Sequence, residues 1–130
     1  AYAGALAALA MCPAERLPAL RLRVDASCRL IASAYPVLRI WQVNQPGFGG
    51  DLRVALDAGP DHLRIRREPR GVALERIARG EFAWLSALRQ QAPLAAAIEC
   101  AQRADAAFDL GSALHRCISD GTIAGIFDPR

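Results

Sequence analysis

The side chains of this chain that could do chemistry are few and stand apart. Four cysteines (Cys12, Cys28, Cys100, Cys117) and two histidines (His62, His115) are its soft metal ligands. Zinc and iron–sulfur sites draw thiolates from closely spaced pairs of the C-x-x-C kind, and no such pair occurs here. No metal and no cofactor is therefore expected. Neither histidine lies near a nucleophile signature such as G-x-S-x-G, so each reads as a surface or structural side chain, not a base. Asp105 and Asp109, on either side of Phe108, look like helix caps and not a paired-carboxylate site. Asn44-Gln45-Pro46-Gly47-Phe48-Gly49-Gly50 is rich in glycine. It lacks both the G-x-G-x-x-G spacing and the Gly-Lys-Ser/Thr ending of a phosphate loop. These residue types point to a binding module without catalytic residues.

Composition narrows the class further. A chain of 130 residues makes one domain, with room for an N-terminal extension. The net charge of +3 is too small to imply nucleic acid by itself. All sixteen basic residues are arginine, as a GC-rich genome would give. The cluster Arg64, Arg66, Arg67, Arg70 has two readings, a solvated outer strand face or a binding surface. Cys100 and Cys117 fall on apolar faces of expected helices, where a small buried thiol is expected, and a reducing cytoplasm fits. No apolar run approaches the roughly 18 residues that span a bilayer, so no membrane segment is expected. The opening Ala1–Ala10 lacks the basic flank of a signal peptide. The missing initiator Met suggests a trimmed or partial chain.

The elements that must position any binding surface follow from periodicity. Ala1–Met11 reads as a helix ended by Pro13. Leu20–Ile31 alternates partly and reads as a strand. Val37, Ile40 and Trp41 fall at helical spacing, although Tyr35–Val43 remains open between helix and strand. The glycine-rich loop is a plausible joint between an extension (1–46) and a domain (47–130). In that domain Leu52–Leu56, Leu63–Arg66 and Val72–Ile77 read as three antiparallel strands, with turns at Asp57–Asp61 and Glu68–Gly71. Three helices follow. Phe82, Leu85 and Leu88 mark the first, with Trp84 beside them; Leu94, Ile98 and Ala101 mark the second, with Pro93 in its first turn. Leu110, Ala113, Leu114, Cys117 and Ile118 mark the third, with Asp109 as N-cap. Thr122–Phe127 closes as a strand. The order β-β-β-α-α-α-β is an α+β plan of the winged-helix kind, which binds duplex DNA or an extended peptide.

One segment makes a family resemblance specific. Tyr35–Gln45 reads YPVLRIWQVNQ; its most distinctive piece is Pro-Val-x-x-Ile-Trp at Pro36–Trp41. With Leu17–Arg23 and the tail GEFAWLSAL…FDLGSALHRCISDGTIAGI, it resembles the C-terminal part of the BufC/HvfC family, long labelled as DNA-binding proteins. The resemblance runs from Leu17 to Phe127. It implies a non-catalytic partner of a BufB/HvfB-like multinuclear non-haem iron enzyme that oxidatively modifies cysteines of a ribosomally made precursor peptide. The accessory subunit binds the precursor's leader, as the similar MbnC and TglI proteins do. Full-length BufC-type proteins carry a helical N-terminal domain, of which only the last part would fit into Ala1–Pro18. The chain is thus expected to be a short TglI-like member or a trimmed domain.

A leader could add a strand to an exposed sheet edge. The candidate edge is Val72–Ile77, with Val72, Leu74 and Arg76 as contacts. The expected groove lies beside Leu110, Leu114, Arg116 and Ile118, with Arg76 and Arg116 meeting acidic side chains. Trp41 is expected to anchor its segment, by packing in preference to partner contact, with Tyr35 beside it. The alternative is a DNA-binding winged helix. Its recognition helix would present Gly111, Ser112, His115, Arg116 and Ser119, a line with a single cation, which disfavours a groove full of phosphates.

Overall fold

Prolines and glycines punctuate this chain, and the apolar period between them decides helix or strand. The computed structural model describes residues 12–55 and 60–128. A 3-10 helix (Ala14–Ala19) leads into strand β1 (Arg21–Val24), which buries Leu22 and Val24 and leaves Arg23 exposed. The strand expected to run on towards Ile31 is broken by a turn in which the Cys28 N–H donates to the Asp25 carbonyl at 3.0 Å. Strand β2 (Arg29–Ser33) follows, then helix α1 (Val37–Val43), so the helical spacing of Val37, Ile40 and Trp41 wins over the strand alternative. After the loop come strands β3 (Asp61–Glu68) and β4 (Gly71–Arg76). Helices α2 (Arg79–Arg89), α3 (Leu94–Ala104) and α4 (Leu110–Ser119) precede strand β5 (Ile123–Phe127).

The fold is α+β, with two antiparallel sheets among the described residues. One has the order β2-β3-β4; in the other β5 returns to β1, with Leu22 opposite Ile126. One expectation is corrected here. Residues 51–55, expected as the meander's first strand, are irregular, and Leu52 is 66% exposed. Arg29–Ser33 takes that place beside β3, in continuous register from Arg29↔Ile65 to Ser33↔Asp61. The alternation of residues 52–56 is genuine, but β2 also sets Leu30 against the core, which the Leu52 segment does not. The closing strand pairs with β1. Both sheets therefore cross the expected joint at residues 46 and 47. The Ala1–Met11 helix, Leu56, and Asp57–Gly59 of the expected turn lie outside the described residues.

Three helix stripes meet β1 and β5 in a single apolar core, with Trp84, Leu85, Ala97, Ala101, Ala113 and Cys117 wholly enclosed. Asp109 caps α4, its carboxylate accepting from the Ser112 N–H at 3.3 Å. Gly121, at φ 82°, stops the helix. Pro93 stands just ahead of α3 as its cap residue. Gly80 is needed for a close approach, since a Cβ there would come within 2.9 Å of Phe108 Cβ. Cys100 departs from expectation and is exposed. At about 100° per residue it falls roughly 90° off the Leu94–Ala97–Ala101 stripe.

Candidate binding site

Strand β4 is the outer strand of its sheet, and its register decides what it offers. The Ile77 N–H donates to the His62 carbonyl at 2.8 Å, and Glu68 pairs with Gly71 across the hairpin turn. Antiparallel alternation then turns the backbone groups of Gly71, Ala73 and Glu75 towards β3. Those of Val72, Leu74 and Arg76 point to the open edge. The side chains of these last three share one face of the sheet with Ile31, Leu63 and Ile65. Leu63 is buried, but Ile31 is 38% and Val72 54% exposed, so an only partly covered apolar strip runs along the face, with exposed Arg67 opposite Val72. Helix α1 closes one end of it, where Asp61 accepts from the Leu38 N–H at 2.9 Å and from Arg76 Nε at 2.8 Å.

The opposite face is held to the helices by charge. Arg64, 3% exposed, reaches Glu75 at 3.1 Å, Glu81 at 3.4 Å and Asp120 at 3.1 Å. Arg66 joins at Glu75 (2.7 Å), and Arg116 pairs with the other oxygen of Glu81. Neither reading of the arginine cluster fits Arg64, which is the buried centre of an ion network. Arg67 and Arg70 are exposed. Cys117 packs against the same network, and burial, with help from Glu81, pushes its thiol up to about 12. It is an inert core group.

Burial raises the Glu75 carboxyl, but hydrogen bonds from Arg66 and the charges of Arg64 and Arg66 outweigh it and hold the group below its ordinary value. Asp61 behaves likewise: burial opposes ionisation, and Arg76 with the Leu38 N–H overcomes it. Both folded-state values lie below the unfolded ones. Their stabilisation is therefore complete above the ordinary carboxylate range and is lost as pH falls through the depressed values. Urea midpoints should hold from pH 7 to about 5 and fall below about 4.5. A midpoint that stays level or rises on acidification would contradict this.

The expected site residues do not assemble as one groove. Val72, Leu74 and Arg76 face away from α2, α3 and α4, because the polar partners of Arg64 turn the other side of β4 inward. Leu110 and Leu114 line a separate apolar groove of about 360 Å³ with Leu17, Leu94 and Ile98. Ile118 is 1% exposed in the core. Arg76 and Arg116 are both engaged by carboxylates. Trp41, expected to be packed, is 37% exposed above a shallow cleft with Phe48, and Tyr35 is 59% exposed. The wholly buried indole is Trp84. Ile31 and Ile65 belong to the β4 face but were not among the expected contacts. The signal for them is the pairing of Arg29–Ser33 with β3.

His62 stacks edge-on against Phe82 at 5.0 Å, and His115 is exposed. Among the described residues no group of three or more His, Cys, Asp or Glu is placed to hold a metal ion, and no helix is long and apolar enough to cross a membrane. A scan of protein-family models and searches of curated proteins and solved structures find no match to this chain.

Proposed function

We propose that this chain is a non-catalytic, cytoplasmic accessory subunit. It binds the leader of a ribosomally made precursor peptide and presents it to a multinuclear non-haem iron oxidase that modifies the peptide's cysteines. The observation that carries the reading is the open edge of β4, where outward backbone groups at Val72, Leu74 and Arg76 adjoin a partly covered apolar face. An extended peptide needs both: hydrogen bonds for affinity and pockets for alternate side chains. Ile31, Ile65, Val72 and Leu74 then provide the pockets, in place of the α4 groove. The YPVLRIWQVNQ resemblance supplies the class of partner, and exposed Tyr35 and Trp41 supply aromatic anchors for it.

Co-expression with a candidate oxidase and its precursor, followed by affinity capture, tests this. Leu74→Pro removes an outward donor, and should abolish peptide capture while leaving the melting temperature within a few degrees. Leu74→Ala controls for the side chain. Ala73→Pro removes a donor that faces β3, and should weaken the fold first. If Leu74→Pro captures peptide as well as the parent does, the edge is not the site.

A further inference from the structure

The second sheet carries a cleft that the β4 reading does not use. Arg21 and Arg23 alternate along β1 with buried Leu22 and Val24, so both guanidinium groups leave the core on the same side. They line a cleft of about 170 Å³ together with Arg89, at the end of α2, and with Leu88 and Phe127. Arg89 is fixed by donating to the Cys28 carbonyl. Arg23 lies across β5 at Gly125, where an added Cβ would stand 3.5 Å from its Nη2. No carboxylate pairs with any of the three among the described residues, whereas Arg16, Arg64, Arg66, Arg76 and Arg116 all have one. Gln91, the one described non-glycine residue with positive φ (65°), stands at the same cleft.

We propose that this cleft is an anion site for an acidic peptide segment. It would take carboxylates at alternate positions of an extended chain, with an apolar side chain at the next alternate position, on the same side of that chain, seated against Leu88 and Phe127. Arg21 and Arg23 are two strand positions apart, roughly 6.8 Å, which is also the spacing of alternate side chains on such a peptide. Guanidinium–carboxylate pairs supply the orientation and the apolar wall supplies the rest. Nucleic acid is the poorer match. Duplex interfaces are broad and strongly positive, whereas this cleft is small, has apolar walls, and sits on a chain of net charge +3. The proposal stands apart from strand addition at β4.

Fluorescence anisotropy on the full chain tests it, with a labelled peptide carrying Glu-Gly-Glu-Gly-Phe in a Gly/Ser chain and a Gln-Gly-Gln-Gly-Phe control. The acidic peptide should bind saturably, and the control at least about tenfold more weakly. Arg21→Glu with Arg23→Glu should cost about tenfold or more, while Arg103→Glu, at an exposed arginine of α3, should stay within about twofold. Neither Arg21 nor Arg23 has a side-chain partner among the described residues, so the thermal melt should not move. If the double reversal does unfold the chain, the Gln/Gln pair of substitutions must reproduce the loss. Absence of saturable binding, equal affinity for the Gln control, or an equal effect of Arg103→Glu would overturn the proposal. So would tighter binding of a duplex through Arg21 and Arg23.

Discussion

Arg64→Met should destabilise the fold by about 3 kcal/mol, read as a drop in the urea midpoint at neutral pH. Removing one member of a buried ion group typically costs about 3–5 kcal/mol, because the remaining charge is left desolvated and unpaired. Here Glu81 is 4% exposed and Asp120 only partly exposed, but Arg116 and Arg66 still hold some of their oxygens, which places the cost at the lower end. Adding Glu81→Met to Arg64→Met removes the stranded carboxylate as well. The double variant should therefore be more stable than the sum of the two single losses implies, by at least about 1 kcal/mol. Simple additivity would mean that the network is not a coupled unit.

The second large effect separates the two tryptophans. Trp84 is wholly buried, with its ring centroid 5.8 Å from that of Phe108, and its indole N–H has no hydrogen-bond partner. Trp84→Ala should cost about 3–5 kcal/mol from lost burial and the cavity left behind. Trp84→Phe should recover most of that, since no hydrogen bond is lost with the indole nitrogen. Trp41→Ala, at a half-open surface position, should cost less than about 1 kcal/mol. If the two alanine variants melt alike, the core has been misplaced.

The contrast shows what was legible in the sequence. The helices at Arg79–Arg89 and Leu94–Ala104 were readable from their apolar stripes, and in Leu110–Ser119 cap, stripe and stop agree: Asp109 caps, Ala113, Cys117 and Ile118 face inward, and Gly121 ends the helix. The β3–β4 hairpin was readable from alternation around Pro69–Gly71. Strand partners were not. Leu52–Leu56 and Arg29–Ser33 both look strand-like, and the choice between them rests on non-local packing that alternation does not encode. Arg64 was hidden for a similar reason. Its partners Glu75, Glu81 and Asp120 lie on three separate elements, so the arginine run reads as surface until the fold brings the acids to it. The edge at Val72–Ile77 was found, but its face was not, because Val72/Leu74 and Ala73/Ile77 offer equally apolar patterns. The ion pair between Arg64 and Glu75 settles which side turns inward.

Residue-resolved amide hydrogen exchange, with and without the precursor peptide, tests the central claim most directly. Strand addition predicts that the outward amides of Val72, Leu74 and Arg76 slow by about tenfold or more on peptide binding. The Ala73 and Glu75 amides, already in the ladder with β3, should change far less. Unchanged exchange along β4 with a bound peptide, or protection confined to the groove of Leu17, Leu94, Leu110 and Leu114, would contradict it.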